Sequence, residues 1–312
     1  MAKILVTGGA GYIGSVLAPE LLSLGHDVSV VDNFMYKQNS LLDVCNNKKL
    51  KIIRGDVRDE ALIKKELEDV DFIIPLAALV GAPLCSVDPV ATESINLDSI
   101  KLLLKHRKKG QKIVFPNTNS GYGFMEEGVS TCDENSPLHP VSLYGKLKVE
   151  AEKLLLNEDD TITFRLATVF GVSPRMRLDL LVNDFVYRAV NDRAVILFEA
   201  NFKRNYIHIR DVVGAFVHAI NNFEKMKGEP YNVGLSDANL SKMELCEEIR
   251  KQLPNFTFLE SKIGEDPDKR NYIVSNEKIE NAGFLPKYSL EDGIEELIKG
   301  YQVVKRSDFA NI

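Results

Sequence analysis

Residues 3–32 constrain the fold more than any other part of the sequence, because they form one complete strand, turn, helix and strand. A short apolar run at 4–6 is followed by glycines and then by apolar residues at helical spacing over 16–24. A second apolar strand ends at Asp32. Such a unit is the repeat from which parallel α/β sheets are built.

Gly8, Gly11 and Gly14 stand in the turn of this unit. Their missing side chains let backbone amides and a helix N-terminus approach a pyrophosphate closely. Asp32 follows Gly11 by about 20 residues, the spacing at which a carboxylate accepts hydrogen bonds from the adenosine ribose hydroxyls. Taken alone, Asp32 could also be a solvated strand end, but it would repel a 2′-phosphate, and Asn33 beside it supplies no cation. The sequence therefore predicts bound NAD rather than NADP.

The size and composition are those of an ordinary globular protein. At 312 residues the chain exceeds the roughly 250 to 300 residues at which single cores stop growing, so we expect two lobes. Hydrophobic residues make up 45% of the chain and charged residues 27%. The net charge of −6 speaks against a nucleic-acid partner.

The cysteines and the apolar segments argue against several other classes of protein. The four cysteines stand far apart and form no CxxC pair, so the sequence predicts neither a metal site nor a disulfide framework and suits a reducing cytoplasm. Apolar segments stay well short of the ~18 residues that a membrane-spanning helix needs. We therefore expect a cytoplasmic protein without membrane contact.

Strands alternate with helices through the first half of the chain. Further strands are predicted at 50–54, 71–76 and 112–116, and helices at 37–47, 89–108 and 140–156. Beyond residue 171 the predicted elements are helices at 178–190, 211–222 and 290–304 and a strand at 195–198. The alternation predicts an α/β fold, a Rossmann doubly wound parallel sheet, with a smaller mixed α/β lobe for the substrate.

Residues at the predicted strand ends are candidate cofactor contacts. Asp56 is a candidate for binding adenine, although an aspartate there could equally form a turn or cap the next helix. Ala77 and Ala78 would let the cofactor lie close to the fourth strand, although small residues also fit tight packing. Asn96 is the polar exception on an amphipathic helix.

Tyr144 and Lys148 stand four residues apart on a predicted helix and therefore share one face. An ammonium group beside a tyrosine favours the phenolate, and a nicotinamide cation favours it further. Such a phenolate could take a proton from a sugar hydroxyl while a hydride leaves the same carbon. A pair of this spacing also occurs by chance, as a tyrosine packed under an aliphatic stem. The dinucleotide unit and the threonine-bearing loop 117–123 give it weight.

Several motifs together resemble the extended short-chain dehydrogenase/reductases, and more narrowly their NAD-dependent nucleotide-sugar epimerases and dehydratases. The motifs are TGGAGYIG at 7–14, Asp32, GDV at 55–57, the loop from Thr118 to Tyr122-Gly123, Tyr144-x-x-x-Lys148, RLATVFG at 165–171 and RNYIHIRD at 204–211. They span nearly the whole chain.

The resemblance implies a role for each matching residue. Tyr144 is the expected acid and base, Lys148 holds the cofactor ribose and lowers the pKa of Tyr144, and Thr118 binds the reacting hydroxyl. The expected cofactor-binding residues are Gly8, Gly11, Tyr12, Ile13, Gly14, Asp32, Asn33, Asp56, Val57, Leu76, Ala77, Ala78, Asn96, Tyr144 and Lys148. The expected substrate-binding residues are Thr118, Asn119, Ser120, Asn183, Arg204 and Arg270, with Asn183 at the pyrophosphate and the two arginines at the nucleotide diphosphate.

Two residues depart from the pattern of the 4,6-dehydratases. Those enzymes carry an Asp-Glu pair directly after the threonine, because eliminating water requires a second acid and base. Asn119 and Ser120 stand there instead, and neither serves as an acid or base at neutral pH. Relatives that epimerise at C3 and C5 carry a Cys at the position of Ser120. Oxidation, most often at C4, therefore remains the favoured chemistry.

We expect an NAD-dependent enzyme that oxidises C4 of a nucleoside-diphosphate sugar to a 4-keto sugar, with a GDP-hexose or GDP-heptose favoured and a role in polysaccharide biosynthesis. A 4-epimerase with a transient 4-keto intermediate is the alternative. A non-catalytic NAD-sensing regulator on the same fold is a minor one, because such regulators typically lose the Tyr or the Lys.

The expected lobes divide the chain unevenly. Residues 1–171, with a return at 206–226, would bind NAD, and residues 172–205 and 227–312 would bind the nucleotide sugar. The resemblance also implies a homodimer through the helices at 89–108 and 140–156.

Overall fold

A sheet of seven parallel strands organises the part of the chain that the computed structural model describes, residues 1–124, 130–261, 263 and 270–304. Seven of the strands in the described residues form this sheet, and the others form two smaller sheets. In chain order the strands are β1 (Lys3–Thr7), β2 (Asp27–Asp32), β3 (Leu50–Arg54), β4 (Phe72–Pro75), β5 (Lys112–Thr118), β6 (Thr161–Leu166), β7 (Thr168–Phe170), β8 (Ala194–Leu197), β9 (Lys203–His208), β10 (Pro230–Val233), β11 (Asn239–Ser241) and β12 (Thr257–Glu260). The helices are α1 (Gly14–Ser23), α2 (Glu60–Glu66), α3 (Ala82–Val87), α4 (Pro89–Glu93), α5 (Ser99–His106), α6 (Leu143–Leu156), α7 (Leu181–Asn191), α8 (Ile209–Asn221), α9 (Phe223–Met226), α10 (Lys242–Gln252), α11 (Glu277–Asn281) and α12 (Leu290–Gly300).

The strand order of the main sheet is β3-β2-β1-β4-β5-β6-β10, and each neighbouring pair is parallel. The direction of winding reverses between β1 and β4. In open α/β sheets a ligand crevice forms at this point, outside the carboxyl ends of the strands. The predicted Rossmann fold is therefore confirmed.

Apolar side chains cover both faces of this sheet, as a parallel sheet requires. One face packs against α1 and α8 through Leu17 and Phe216, which are fully buried. The other face packs against α2, α5 and α6 through residues such as Leu103 and Leu155. Burial on both faces holds the strand ends that border the crevice.

A second core lies beside the main sheet and forms a smaller mixed lobe. It is built mainly from α7, α10 and α12, together with β8 and β9. Its strands pair as β11-β9-β7 and β12-β8. The chain returns to the main sheet through α8, which packs on it within the predicted range 206–226. The return extends further than predicted, because Pro230–Val233 pairs with β6 in that sheet. The division of the chain into a cofactor lobe and a substrate lobe otherwise stays a prediction, and 305–312 lies outside the described residues.

Two predicted helices differ from the structure. The helix at 37–47 is wrong: Phe34 and Lys37 have positive φ values of 54° and 53°, which interrupt helical geometry before it starts, and only Leu42–Val44 forms a short 3-10 turn. The helix at 89–108 is divided into α4, a π-helical turn at Ser94–Asp98 and α5.

The helix ends follow local capping. α6 begins at Leu143, where the Ser142 side chain accepts a hydrogen bond from the Gly145 nitrogen at 3.1 Å. Ser289 caps α12 in a capping box with Asp292. Within the described ranges, no helix is both long and apolar enough to cross a membrane.

Candidate active site

A cavity of about 520 Å³ lies at the carboxyl ends of the strands, where the winding reverses. Most of the predicted site residues line it: Gly8, Gly11, Tyr12, Ile13, Gly14, Asp32, Asn33, Asp56, Val57, Leu76, Ala77, Ala78, Thr118, Ser120, Tyr144, Lys148, Arg204 and Arg270. The remaining three, Asn96, Asn119 and Asn183, lie outside its lining.

The glycine turn after β1 is shaped for close approach. Gly8 has a φ of +69°, and a Cβ there would come within 2.6 Å of the Ala77 nitrogen. A Cβ on Gly14 would come within 2.5 Å of the Cα of Gly9. Side chains are therefore excluded from the turn, and the start of α1 stays open to a phosphate group. This cradle fits the pyrophosphate of NAD.

Asp32 ends β2 inside the cavity with its carboxylate anchored. Oδ2 accepts from the Ala10 nitrogen at 3.0 Å, and Oδ1 accepts from the Phe34 nitrogen at 2.8 Å and from Gln38 Nε2 at 3.3 Å. Burial raises the pKa of Asp32, and these hydrogen bonds oppose the rise. Arg54, its neighbour on β3, places its guanidinium 5.6 Å from the centre of the Phe34 ring. The acceptor oxygens of Asp32 fit ribose hydroxyls better than a 2′-phosphate.

Asp56 lines the cavity. It also takes part in a turn, the other role that the sequence allowed, since its carbonyl accepts from the Asp59 nitrogen at 3.1 Å. Its carboxylate accepts from Arg58 Nε at 2.8 Å and Nη2 at 2.7 Å. The Arg58 hydrogen bond lowers the pKa of Asp56 to about 2. The cap of α2 is Asp59, which accepts from the Leu62 nitrogen at 3.1 Å.

Asn96 does not reach the cavity. Its Oδ1 accepts from the Leu79 nitrogen at 2.8 Å, and its Nδ2 donates to the Leu79 carbonyl at 2.8 Å. Both ends of the Asn96 amide bind the backbone of Leu79, and Asn96 is outside the cavity lining, so its direct contact with the cofactor stays a prediction. Asn96 instead holds the segment after β4, where Leu76, Ala77 and Ala78 line the cavity.

The three predicted catalytic residues reach the cavity from two neighbouring elements. Thr118 ends β5, and Tyr144 and Lys148 lie one turn apart on α6. Lys148 is 5% exposed, donates from Nζ to the Pro116 carbonyl at 2.6 Å and lies 4.1 Å from the centre of the Phe115 ring. The Lys148 side chain is thus held against β5.

Burial shifts the pKa values of Tyr144 and Lys148 in opposite directions. It raises the pKa of Tyr144 to about 12, while the charges of Arg177 and Arg270 act to lower it. It lowers the pKa of Lys148 to about 7, while the charge of Glu152 acts to raise it. The cations that favour the Tyr144 phenolate in this structure are therefore arginines, and the same effect expected of Lys148 stays a prediction.

Thr118 and Ser120 form a pair of hydroxyl groups at the start of the turn Asn119–Tyr122. Their Oγ1 and Oγ atoms lie 2.8 Å apart, and the Ser120 nitrogen donates to Thr118 Oγ1 at 3.1 Å. Arg270 Nη1 donates to Ser120 Oγ. Asn119 between them is 1% exposed, and its amide atoms have no hydrogen-bond partner among the described residues. The prediction that Asn119 contacts substrate is therefore not supported.

Asn183 is fully buried near the start of α7. Its Oδ1 accepts from the Gly171 nitrogen at 3.1 Å, and its Nδ2 donates to the Tyr12 hydroxyl at 3.2 Å and to the Arg177 carbonyl at 2.9 Å. Asn183 lies outside the cavity lining, and its amide binds Tyr12 and Arg177, which do line it. The pyrophosphate contact of Asn183 stays a prediction. Tyr12 in turn donates to the Gly171 carbonyl at 2.7 Å, so the two side chains tie α7 to the glycine turn.

The loop after β7 brings charged residues that sequence reasoning missed. Arg175, Arg177 and Asp179 line the cavity. Arg177 forms an ion pair with Asp179, and the Arg175 guanidinium lies 4.7 Å from the centre of the Tyr36 ring. The available signal was the run RMRLD at 175–179, which begins shortly after the motif RLATVFG at 165–171.

A buried ion pair supports the floor of the cavity. Arg165 Nη2 lies 2.7 Å from Glu152 Oε1, and both side chains are almost fully buried. Asn117 Nδ2 donates to Glu152 Oε2 at 2.6 Å, and Arg165 Nη1 donates to the Tyr122 hydroxyl at 3.0 Å. Breaking such a pair leaves an uncompensated buried charge, so the network holds β5, β6 and α6 together beneath Lys148.

The potential metal ligands of the chain do not cluster in the part that the structure describes. Within the described residues, no group of three or more His, Cys, Asp and Glu has the placement of a metal site. His208 is a buried histidine with hydrogen-bond partners at both ring nitrogens: Nε2 lies 2.8 Å from Glu296 Oε2, and Nδ1 accepts from the Arg210 nitrogen at 3.3 Å.

Comparison with known proteins agrees with this geometry. A family model described as "NAD dependent epimerase/dehydratase family" matches residues 4–234. A putative UDP-glucose 4-epimerase of Methanocaldococcus jannaschii is 28% identical over 95% of this chain and 97% of its own length. UDP-glucuronic acid decarboxylase 1 of Arabidopsis thaliana is 26% identical over 96% of this chain and 70% of its own length. The solved UDP-glucose 4-epimerase of Thermotoga maritima superposes with a TM-score of 0.84 at 25% identity, covering 96% of this chain and 98% of that one.

Proposed function

The chain belongs to the NAD-dependent epimerase/dehydratase family, and from this premise we propose that it oxidises C4 of a nucleoside-diphosphate sugar with NAD as the hydride acceptor. The observation that carries the proposal is the convergence of Thr118, Tyr144 and Lys148 on the cavity that begins at the glycine turn. A hydroxyl, a phenol and an amine placed next to a dinucleotide cradle are suited to removing a proton and a hydride from one alcohol carbon.

Tyr144 takes the proton of the C4 hydroxyl in this proposal. Its raised pKa of about 12 means that ionisation depends on neighbouring positive charge. Arg177 and Arg270 supply part of that charge. The ammonium form of Lys148 adds to it, because an opposite charge nearby stabilises a phenolate.

Thr118 and Lys148 position the reacting groups. Thr118 holds the C4 hydroxyl at the end of β5, and Lys148 donates to the ribose hydroxyls of the cofactor. NAD bound in the cradle supplies the carbon that receives the hydride. With NAD bound, Asp32 would accept from the hydroxyls of the other ribose, and Asp56 and Val57 would border the adenine.

The nucleotide diphosphate is held by guanidinium groups. Arg204 and Arg270 line the cavity, and Arg204 is 3% exposed with its guanidinium 5.7 Å from the centre of the Tyr272 ring. The forked donors of arginine match the paired oxygens of a diphosphate. Lys242, which also lines the cavity, adds positive charge on the same side.

Dehydration is disfavoured by the residues after Thr118. Ser120 lines the cavity but is a poor acid or base at neutral pH, and Asn119 is buried away from it. Asp179, a carboxylate that does line the cavity, is paired with Arg177. The second acid and base that elimination of water needs are therefore missing from the Thr118 turn.

Two fates of the 4-keto intermediate remain open. If it is released, the enzyme is a 4-dehydrogenase, and our finer proposal for the substrate is a GDP-hexose or a GDP-heptose such as GDP-manno-heptose. If it is reduced on its other face, the enzyme is a 4-epimerase. This alternative is favoured by the similarity to a putative UDP-glucose 4-epimerase and to a solved UDP-glucose 4-epimerase. An NAD-sensing regulator is disfavoured, because Tyr144 and Lys148 are both present.

The proposal is tested by incubating the protein and NAD with UDP-, GDP-, CDP- and dTDP-linked sugars and identifying the products by mass spectrometry and NMR. A product lighter by two hydrogen atoms means dehydrogenation, and an isomer of equal mass means epimerisation. A product lighter by one water would contradict the argument from Asn119 and Ser120. Binding of NAD without conversion of any sugar would support the regulator instead.

A variant assigns the reaction to the site. Tyr144→Phe is expected to bind NAD normally and to lose about 10² to 10⁴-fold in kcat, the usual contribution of a positioned acid or base. Tyr231→Phe, which removes a hydroxyl from a tyrosine on β10, serves as the control. Substantial activity in Tyr144→Phe would remove Tyr144 from its role.

A further inference from the structure

A short chain of hydrogen bonds joins the smaller lobe to Thr118. Arg270 Nη1 donates to Ser120 Oγ, and Ser120 Oγ lies 2.8 Å from Thr118 Oγ1. All three residues line the same cavity. Ser120 is 4% exposed, so its hydroxyl depends on these protein partners rather than on water.

The direction of the chain follows from the chemistry of its two ends. A guanidinium group only donates, so Ser120 Oγ is an acceptor from Arg270. The Ser120 hydrogen then needs an acceptor of its own, and among the contacts of the described residues Thr118 Oγ1 is the one within reach. The opposite direction would leave the buried Ser120 hydrogen without a partner, which is unfavourable.

Thr118 Oγ1 is thereby filled as an acceptor. It accepts from the Ser120 nitrogen at 3.1 Å and from the Ser120 hydroxyl at 2.8 Å. Its own hydrogen is the group left to donate, and Thr118 is the member of the pair at the strand end, partly exposed to the cavity. The Thr118 hydroxyl is therefore left with a hydrogen to donate at the cavity.

Backbone contacts hold Arg270 in register with the turn that carries Ser120. The next residue, Asn271, donates from its nitrogen to the Gly123 carbonyl at 3.3 Å and bridges to Phe124. Asn271 Oδ1 accepts from the Lys203 nitrogen at 2.9 Å. The placement of Arg270 is thus built into the contact between the segment 270–274 and the loop after β5.

We propose that Ser120 and Arg270 are positioning residues that fix the Thr118 hydroxyl as a hydrogen-bond donor to the C4 oxygen of the sugar. The inference rests on the proposed function, because it assigns a direction to Thr118 within that reaction. As the C4 hydroxyl gives its proton to Tyr144 and its carbon loses a hydride to NAD, the C4 oxygen becomes a carbonyl oxygen. A donor aimed at this oxygen stabilises the negative charge that develops there before the carbonyl forms.

Arg270 also couples this orientation to substrate binding. Its guanidinium has five N–H groups, so the side chain that contacts Ser120 can also donate to the diphosphate. Its positive charge acts to lower the pKa of Tyr144. Loss of Ser120 breaks the hydrogen-bond chain and leaves this charge in place, which separates the two effects.

The test compares Ser120→Ala and Ser120→Thr with the wild type, using the nucleotide sugar that the wild type converts. We expect Ser120→Ala to lower kcat about tenfold or more, on the scale of a lost donor to a developing oxyanion, with a change of less than about threefold in the KM for the sugar. Ser120→Thr keeps a hydroxyl and should recover most of the loss. Ser99→Ala, which removes a buried hydroxyl on α5, controls for loss of a serine from the core.

The pH profile separates the positioning role from a charge effect. The pH dependence of kcat should keep its position in Ser120→Ala, because the Arg270 charge remains. In Arg270→Gln it should move to higher pH, since the Tyr144 phenolate loses a stabilising cation. A wild-type kcat in Ser120→Ala, or equal losses in Ser120→Ala and Ser120→Thr, would overturn the proposal.

The two proposals, the C4 oxidation and the hydrogen-bond chain, can fail independently of each other. If the wild type binds NAD but converts no nucleotide sugar, the reaction assigned above is wrong. The hydrogen-bond chain is then judged from a crystal structure of the NAD complex. There we expect Arg270, Ser120 and Thr118 in contact, and an Arg270 side chain turned away from Ser120 would overturn the inference without reference to activity.

Discussion

At the residue scale, burial shifts the pKa values of Tyr144 and Lys148 away from those that catalysis requires. Burial disfavours the charged form of both groups, so it raises the pKa of Tyr144 to about 12 and lowers that of Lys148 to about 7. For Tyr144 to act as a base near neutral pH, its pKa must be lowered and that of Lys148 must be raised. Ligands that bring hydroxyl acceptors to Lys148 and positive charge to Tyr144 would do both.

This leads to a prediction for the binding of NAD. Ribose hydroxyls that accept from the Lys148 ammonium favour its charged form, so the Lys148 pKa should rise above 7 on binding and a proton should be taken up. NAD affinity should therefore fall as the pH rises above about 7. Titration calorimetry at pH 7 to 8, in buffers of different ionisation enthalpy, measures the proton uptake.

Lys148→Met is the matched control for this measurement. It keeps a long side chain without a titrating amine, so its NAD affinity should be lower and nearly independent of pH over this range. Binding of NAD to the wild type without proton uptake would mean that Lys148 does not meet the ribose as proposed.

Local sequence motifs predicted part of this site. The other residues of the site could not be predicted, because they come from parts of the chain that are distant in sequence. Asp32, Tyr144 and Lys148 stand in local patterns whose spacing can be read directly. Arg175 and Arg177 reach the cavity from the loop after β7, and no local periodicity encodes the position of that loop. The two buried asparagines, Asn96 and Asn183, carry polar side chains that match a ligand contact in sequence yet bind backbone in the structure.

At the scale of elements, the unit β1, α1 and β2 follows the sequence closely, because its glycines are required by contact geometry. Gly14 is the sharpest case, since a Cβ there would lie 2.5 Å from the Cα of Gly9 and 2.7 Å from the Gly8 carbonyl oxygen. Real Cβ atoms do not approach backbone so closely, so the turn would have to move. The cradle for the pyrophosphate would move with it.

Gly14→Ala is therefore expected to weaken NAD binding by about tenfold or more, because backbone amides would leave their positions for the pyrophosphate. It should also lower the melting temperature. Gly214→Ala is the control, since Gly214 also lies in a helix and a Cβ there would meet Phe284 at an ordinary 3.4 Å. Fluorescence or calorimetric titration with NAD checks the affinity. Equal NAD affinity in both variants and the wild type would show that the turn tolerates a side chain.

Elements outside this unit followed the sequence less well where tertiary contacts decide the backbone. The π-helical turn at Ser94–Asp98 interrupts the predicted helix where Asn96 binds Leu79, a contact that amphipathic spacing does not reveal. The segment after β2 fails as a helix because Phe34 and Lys37 take positive φ. Phe34 N donates to Asp32 in that conformation, so the strained backbone serves the ribose site.

At the scale of the whole molecule, the main sheet and the smaller lobe meet at one cavity. The doubly wound parallel sheet could be predicted from the alternation of strands and helices. The pairing of β10 with β6 beyond residue 226 could not, because a four-residue strand carries little pattern of its own. The expected homodimer belongs to this scale and stays a proposal.

We propose that the contact of this dimer includes exposed valines at the predicted helices. Val87, the last residue of α3, is 78% exposed, Val90 in α4 is 79% exposed, and Val141 before α6 is 48% exposed. We expect sedimentation to give the mass of two chains, and a double change of Val87 and Val90 to Glu to shift the mass toward one chain. Leu285→Glu, at another exposed apolar residue, is the control. A wild-type mass of one chain at micromolar concentration would contradict the dimer.

The most direct test of the central claim uses a nucleotide sugar that carries deuterium at C4. Hydride transfer from C4 predicts that the deuterium appears in reduced NAD if the keto sugar is released, or returns to C4 of the epimer if the redox cycle closes. Mass spectrometry of the sugar and the cofactor measures both. Deuterium lost to solvent, or retained at C4 with unchanged configuration while product forms, would contradict oxidation at C4.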